Sequence, residues 1–258
     1  MVIIMENVNT YSKKERNMFL TGMFGQNMIY NVVTVGLYYY FQNVICLPAI
    51  AFGWIFAIAR IWDAINDPMM GSIVDKTRTK WGKCRPYLIF SPIVICVITI
   101  AAFFNGNYAN AKANGNKTAM IFIVAWAAIS YVLWGMSYTV GDIPLWGIIS
   151  RITESEKDRS SLISLSRIIA SIGAGLVVIS IVAVSQSLNS AFGLDTNAQK
   201  GFIVAAIIIT IIGSALFECA GTGTKERVPN GSETKTMKES FALMWKCKPF
   251  RRILISGL

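Results

Sequence analysis

The 258-residue sequence is 54% hydrophobic and only 15% charged, with a mean hydropathy of +0.51, which argues against an ordinary soluble domain. Its net charge of +10 does not indicate nucleic-acid binding, because the basic residues stand in short clusters between apolar runs. The sequence contains no His, no CxxC pair among its five Cys and no nucleophile–base pair. We therefore expect neither an enzyme nor a disulfide framework.

Six apolar runs of membrane-spanning length follow one another along the chain. Pro48 separates the first run from the second, and Pro86 begins the third. The sequence thus predicts an all-α membrane protein with six transmembrane helices, the alternative being a soluble protein of very apolar helices. The six predicted spans are 17–44, 49–74, 86–104, 118–147, 161–186 and 201–219.

The chain divides into three predicted regions. Residues 1–220 form the six-helix transmembrane bundle, and residues 221–249 form a basic cytoplasmic linker. Residues 250–258 begin a seventh transmembrane helix that the sequence does not complete.

Most of the 24 Lys and Arg residues lie in four segments on one predicted side of the membrane. These segments are the N-terminus, 76–85, 151–159 and 225–252. The loops on the other side contain Lys112, Lys117 and Lys200. The positive-inside rule then predicts a multi-pass protein of the cell membrane with both ends in the cytoplasm.

The second predicted span contains a polar stripe formed by Arg60, Asp63, Asn66 and Asp67. On a helix, Asp63 and Asp67 lie about 40° apart, and Arg60 and Asn66 each lie about 60° from Asp63. Two carboxylates and an amide oxygen are hard ligands that suit a small cation, and paired carboxylates can also hold a proton. The alternative is a structural ion pair of Arg60 with Asp63 inside a helix bundle.

Asp142 in the fourth predicted span lies between two aromatic residues, within the segment 138–146. A carboxylate accepts hydrogen bonds from sugar hydroxyls, and the indole of Trp146 offers a face on which a pyranose ring can stack. Arg167 in the fifth predicted span can donate to hydroxyls or to a carboxylate. We therefore expect Asp142 to bind a sugar. The alternative is that Asp142 is a structural ion-pair partner of Arg167, and the two roles are compatible.

Gln26 and Asn27 form a polar pair within the first predicted span. Asn and Gln often hydrogen-bond between transmembrane helices, so this pair alone is weak evidence for a binding site.

The turn after the second span joins Gly71 and Asp75 to the cations Lys76, Arg78 and Arg85. A carboxylate at a helix end beside several cations predicts an ion-pair latch between helices, which would act in conformational change. The alternative is a basic loop that only sets the membrane topology.

Three motifs and one spacing together resemble the glycoside–pentoside–hexuronide:cation symporter family, whose members are melibiose permease-like and belong to the major facilitator superfamily. Residues 60–68 (Arg-Ile-Trp-Asp-Ala-Ile-Asn-Asp-Pro) resemble the family's second-helix signature. Residues 79–87 resemble its following cytoplasmic loop, and residues 138–146 its fourth helix. Arg167 follows Asp142 by 25 residues, as in the family pattern.

The resemblance implies two sets of site residues. It implies a Na⁺ or H⁺ site at Asp63, Asn66, Asp67 and Thr139, with Asp63 and Asp67 as metal ligands if the ion is Na⁺. It implies a sugar site at Asn27, Tyr138, Asp142, Trp146 and Arg167. Melibiose permease-type members have an acid where this chain has Asn27.

Family members have twelve spans in two halves, whereas this sequence resembles the N-terminal half and the start of a seventh helix. We therefore expect a secondary active transporter, or its N-terminal half, that couples Na⁺ or H⁺ to uptake of a sugar, glycoside or hexuronide by alternating access. Its expected partners are the sugar, the coupling ion, the lipid bilayer and a C-terminal six-helix half, without nucleic acid or a further cofactor. The alternatives are a membrane sensor subunit without transport and an inactive truncated fragment.

Overall fold

The computed structural model describes residues 10–193 and 199–228, and these residues form eight α-helices without a β-strand. The predicted start of a seventh transmembrane helix and the linker from residue 229 onward lie outside the described residues. The helices are α1 (Lys13–Asn31), α2 (Ala49–Lys76), α3 (Arg85–Phe103), α4 (Tyr108–Ala113), α5 (Lys117–Gly147), α6 (Ile149–Ile152), α7 (Glu156–Phe192) and α8 (Gln199–Gly223).

Five helical segments among the described residues are long and apolar enough to cross a membrane. They are α2, α3 continued by α4, α5 continued by α6, α7, and α8. The described part of the chain is therefore all-helical, and its five long apolar segments indicate a multi-pass membrane protein.

The first predicted span differs from these five. Helix α1 is rich in charged and amide side chains, and it continues into two π-helical turns, Val32–Leu37 and Tyr40–Val44. The segment is helical over nearly all of the predicted span 17–44. A sixth membrane crossing in this segment remains a prediction.

Polar side chains define where several helices begin. Ser12 and Glu15 form a reciprocal capping box at the start of α1, in which each side chain accepts a backbone N–H of the other residue. Asn116 caps α5 and Ser155 caps α7 by accepting a backbone N–H from the first turn. These bonds satisfy donors that a helix start otherwise leaves without partners.

Helix α1 packs between α7 and α8, while α5 packs against α2 and α3. Gly22 and Gly25 of α1 lie against α8, where a Cβ atom would overlap Ala220 and the carbonyl of Gly213. The absence of side chains at these glycines therefore allows the backbones of α1 and α8 to approach closely. Because α1 is held in this way, its residues Gln26 and Asn27 can face α5 and α7.

The segment after α8 is bound to the same end of the bundle. The Glu226 carboxylate accepts the backbone N–H groups of Lys83, Cys84 and Arg85 at 3.0, 2.8 and 3.2 Å, at the start of α3. Arg227 donates to both carboxylate oxygens of Glu15, at 2.8 and 2.7 Å. We call this arrangement the linker clamp; it joins the start of the predicted linker to α1 and α3.

Candidate functional site

A cavity of about 210 Å³ lies between α2 and α5 and contains both acids of the polar stripe. We call it the α2–α5 cavity. Its lining includes Arg60, Asp63, Asp67, Tyr138, Thr139 and Asp142. Residues predicted for the cation and residues predicted for the sugar therefore share one cavity.

Asp67 is hydrogen-bonded across the cavity to α5. Thr139 Oγ1 lies 3.0 Å from Asp67 Oδ1 and 3.0 Å from the carbonyl oxygen of Gly135 on its own helix. A Cβ atom at Gly135 would lie 3.2 Å from Asp63 Oδ1, so this glycine leaves room for the second carboxylate. Two carboxylates and one hydroxyl are oxygen donors of the kind that bind small hard cations.

Asn66 is the predicted cation residue that this cavity does not include. Its side chain is buried, and its Nδ2 has no hydrogen-bond partner within residues 10–193 and 199–228. The structure thus brings together Asp63, Asp67 and Thr139, and it separates Asn66 from their common cavity.

Arg60 approaches Asp63 one helical turn away, with 4.0 Å between Nη1 and Oδ2. The Arg60 side chain is 70% exposed, so this pair is not the buried ion pair considered as the alternative to a cation site. Exposed pairs of this kind contribute little to stability. Asp63 therefore keeps its carboxylate toward the cavity with only a weak partner.

Gln26 connects α1 to Asp142. Its Nε2 donates to Asp142 Oδ1 at 2.7 Å and also to the Tyr138 hydroxyl. Its Oε1 accepts a hydrogen bond from Asn27 Nδ2 at 2.6 Å. Since Gln26 is only 2% exposed, these bonds are shielded from water and fix the carboxylate of Asp142.

A second pocket, of about 550 Å³, lies beside the first and is bounded by α1, α5 and α7. We call it the α1–α7 pocket. It contains three of the five residues predicted for the sugar, Asn27, Trp146 and Arg167, and Ala170 and Ala174 form its α7 wall. The other two, Tyr138 and Asp142, line the α2–α5 cavity.

Asp142 lies where the two sites meet, because it lines the α2–α5 cavity and is joined through Gln26 to Asn27, which lines the α1–α7 pocket. In the described part of the chain Asp142 forms no salt bridge with Arg167, which lines the α1–α7 pocket instead. The structural pairing of Asp142 with Arg167, considered from the sequence as an alternative, is therefore not formed here.

Gln26, Tyr30 and Trp134 are neighbours of Tyr138 that the sequence interpretation did not assign to the site. The rings of Tyr30 and Tyr138 lie 5.3 Å apart, and those of Trp134 and Tyr138 lie 5.0 Å apart. The adjacent amides Gln26 and Asn27 were a signal for the first of these residues. The aromatic residues carried no such signal, because aromatic side chains at helical spacing usually belong to a core.

The residues of the predicted latch lie around the turn between α2 and α3. Asp75, Lys76 and Arg78 are exposed and form no salt bridge within the described residues. Arg85 Nε donates to the Gly221 carbonyl oxygen at 3.2 Å, and a Cβ atom at Gly71 would meet only open space. The latch remains a prediction, and the linker clamp is among the contacts that hold this turn.

A family model described as MFS/sugar transport protein matches residues 18–258. The uncharacterized symporter YnaJ of Bacillus subtilis (strain 168) is 31% identical over 228 residues. The isoprimeverose transporter of Lactiplantibacillus pentosus is 28% identical over 251 residues, and the lactose permease of Leuconostoc lactis is 30% identical over 190 residues.

These three alignments cover 88%, 97% and 72% of this chain. They cover 46%, 48% and 29% of the three relatives, in the same order. The chain therefore spans about half the length of the first two curated relatives that it matches.

Proposed function

The chain belongs to the MFS/sugar transport protein family, and with it to the melibiose permease-like symporters of the major facilitator superfamily, and from this we propose that it forms the N-terminal half of a cation–sugar symporter. The coupling ion is Na⁺ or H⁺, and the substrate is a sugar, glycoside or hexuronide. The relatives named for isoprimeverose, lactose and raffinose support a glycoside as the substrate class.

One observation supports this function most strongly. The acids Asp63 and Asp67 line the same small cavity as Asp142, and Asp142 in turn hydrogen-bonds toward the α1–α7 pocket through Gln26. Acidic side chains within transmembrane segments are costly, and they usually mark an ion or substrate path. Here they connect a set of cation ligands to a set of sugar-binding side chains.

The proposed coupling acts through α5. A Na⁺ ion held by Asp63, Asp67 and Thr139, or a proton on one of the carboxylates, neutralises the acidic stripe of α2. Thr139 lies next to Tyr138 and about one turn before Asp142, so a change in its contact with Asp67 shifts the sugar ligands as well. Each ligand then raises the affinity for the other by the same factor, as thermodynamic linkage requires.

Sugar binding in the proposed site uses groups of two kinds. Asp142, Arg167 and Asn27 supply donors and acceptors for hydroxyl groups, and Trp146 supplies an apolar face. Asn27 stands where an acid is found in melibiose permease-type members, and its amide both donates and accepts. The sugar site of this chain thus has one negative charge fewer on α1 than the site of melibiose permease-type members.

We propose that a C-terminal six-helix half covers the open side of both pockets. Exposed apolar side chains form a continuous stripe along α2 and another along α7. The α2 stripe consists of Ile50, Trp54, Ile58, Ile61, Ile65, Met69 and Ile73. The α7 stripe consists of Ile168, Ile172, Leu176 and Ile179. Sites of this superfamily lie between two halves near the bilayer midplane, so each half supplies one wall.

The proposed topology has six spans, including one formed by α1 and its π-helical turns, with both ends of this half in the cytoplasm of a cell-membrane protein. The basic segments on one side of the membrane support this orientation. Single cysteines introduced at Lys112 and Lys235 test it. We expect a membrane-impermeant thiol reagent to label the first from outside and the second only from inside.

Transport itself is tested in vesicles that contain the complete protein, with the second half present. We expect an imposed Na⁺ or H⁺ gradient to drive accumulation of a glycoside. Asp63→Asn and Asp67→Asn should each abolish this accumulation while the protein stays in the membrane. Exposed Glu154, with no salt bridge in residues 10–193 and 199–228, provides the control Glu154→Gln for membrane insertion and transport. Gradient-driven accumulation by both test variants would refute the proposed cation site.

A further inference from the structure

A third cavity lies at the junction of α2 and α3, apart from the two sites described above. It has a volume of about 390 Å³. We call it the α2–α3 groove. Hydroxyl side chains surround one end, namely Thr77, Thr79 and Tyr87. Apolar side chains form the walls, namely Pro86, Phe90, Val94 and Val140.

The groove combines hydroxyl groups at its polar end with accessible apolar walls. The Thr77 and Tyr87 hydroxyl oxygens lie 2.7 Å apart at the polar end. Ser91 also lines the groove, is 3% exposed, and has a hydroxyl without a hydrogen-bond partner in the described ranges. Phe90 and Val94 are exposed, which leaves the apolar walls accessible from the side of the bundle. The groove therefore suits a molecule with a long apolar part and a polar end.

Three cations alternate with the hydroxyl residues of the polar end. Lys76, Arg78 and Lys80 flank Thr77 and Thr79 in the sequence, are exposed, and form no salt bridge among the described residues. Asp75 is the only acid in the segment 75–85. None of the three lines the groove itself, so they attract a negatively charged group to the loop beside its polar end.

An exposed aromatic pair, Trp81 and Phe90, joins the loop that contains the cations to the wall of the groove. The rings of Trp81 and Phe90 stack with centroids 6.2 Å apart and an angle of 27° between their planes. They are 52% and 57% exposed, respectively. Exposed Trp side chains are typical of the boundary between lipid tails and headgroups. This pair therefore supports a placement with the cations near the lipid headgroups and the apolar walls toward the acyl chains.

We propose that the α2–α3 groove binds an anionic phospholipid. One acyl chain packs along Phe90 and Val94, and the phosphate is bound by Lys76, Arg78 and Lys80. Basic pockets between transmembrane helices at a membrane surface bind lipid headgroups in this way. A basic loop that only sets the topology needs the three cations but no groove beside them.

Native mass spectrometry of the purified chain in detergent tests the proposal by titration with phosphatidylglycerol and with phosphatidylcholine of the same acyl chains. The charge variant combines Lys76→Gln, Arg78→Gln and Lys80→Gln. Its control combines Lys112→Gln and Lys117→Gln, two exposed cations elsewhere on the protein. The groove variant is Val94→Trp, and its control is Val97→Trp, 62% exposed on the same helix but outside the groove.

We expect tighter binding of phosphatidylglycerol than of phosphatidylcholine. Because each surface cation accounts for about fivefold in affinity for an anionic lipid, the charge variant should bind phosphatidylglycerol on the order of 100-fold more weakly. Val94→Trp should lower occupancy several-fold, whereas both controls bind as the wild type does. Equal binding of the two lipids, or test variants that match their controls, would overturn the proposal. Glycerol phosphate binding as tightly as the whole lipid would overturn it too, because the groove would then be a phosphate site.

Discussion

Gln26 Nε2 lies 2.7 Å from Asp142 Oδ1, and this hydrogen bond joins α1 to α5 at the point where the two candidate pockets meet. The same amide accepts from Asn27 at 2.6 Å. An amide both donates and accepts, so Gln26 can serve both neighbours at once. Because Gln26 bonds to both residues, a movement of the Asn27 side chain when sugar binds would also shift the Asp142 carboxylate in the α2–α5 cavity.

The first prediction concerns this bridge. Gln26→Met keeps the size of the side chain but removes its hydrogen bonds to Asp142, Tyr138 and Asn27. Hydrogen bonds to charged groups contribute about 1.5–3 kcal/mol, so we expect glycoside affinity to fall about 10- to 150-fold. The measurement is glycoside binding to the complete transporter by calorimetry. The control is Asn31→Ala, whose amide donates, among the described residues, only to the Asn27 carbonyl of the same helix. An affinity within about twofold of wild type in a folded Gln26→Met protein would exclude this role.

The second prediction separates sugar binding from structural pairing at Asp142 and Arg167. The two side chains line different pockets and form no salt bridge in the part of the chain that is described. Asp142→Asn and Arg167→Gln should each lower glycoside affinity about 10- to 150-fold, and the double variant should remain defective.

Breaking a buried ion pair would instead cost about 3–5 kcal/mol of stability, which the double change would largely restore. Thermal unfolding of the single and double variants is therefore measured beside binding. Near-normal affinity in a well-folded double variant would rule out the sugar-site assignment of both residues.

The third prediction concerns the linker clamp. Glu226→Gln removes the negative charge that accepts three backbone N–H groups at the start of α3. A helix start favours negative charge, so we expect the free energy of unfolding to fall by about 1–3 kcal/mol. Chemical unfolding in detergent measures it, with Glu154→Gln on an exposed acid as the control. Equal stability of the two variants would show that the clamp contributes nothing.

The fourth prediction is a pH dependence that originates at Glu15. Burial acts to raise the pKa of Glu15, but the hydrogen bonds from Arg227 and Ser12 outweigh it and hold the pKa below its ordinary value of 4.5. Stability from this pair is therefore fully present above about pH 4.5 and is lost as the pH falls through the lowered pKa.

We expect the unfolding temperature of the wild type to fall more steeply below about pH 4.5 than that of Glu15→Gln or Arg227→Gln. Arg227→Gln keeps the Glu15 carboxyl with its bonds to Ser12, so only Glu15→Gln removes this titration completely and should have the flatter pH profile of the two. If the unfolding temperature of both variants falls as steeply with pH as that of the wild type, other carboxyl groups dominate acid unfolding.

The helical periodicity of α2 was enough to predict that Asp63 and Asp67 share a face, and the structure confirms that they share a cavity. Asn66 illustrates the limit of that reasoning. It lies about 60° from Asp63 around the helix, which is far enough for its side chain to be buried outside the cavity. Periodicity predicts neighbours on one helix, but not which edge of a stripe faces a neighbouring helix.

Contacts between distant segments were beyond prediction from the sequence for a related reason. Gln26 and Asp142 are 116 positions apart, and Glu15 and Arg227 are 212 apart. Their meeting depends on the close approach of α1 to α8 and on the path of the chain after Gly223, which no local pattern encodes. The apolar runs predicted α2, α3, α5, α7 and α8 because length and hydropathy are local properties.

Reciprocal binding measures whether the cation ligands on α2 and the sugar ligands on α5 are coupled through the contact of Thr139 Oγ1 with Asp67. Calorimetry on the complete transporter gives glycoside affinity with and without the coupling cation, and cation affinity with and without glycoside. Linkage makes the two ratios equal, and we expect their common value to be well above one in the wild type and close to one in Thr139→Val. Thr99→Val, whose hydroxyl donates only within α3, should retain the wild-type ratio. Full reciprocal coupling in Thr139→Val would contradict the account.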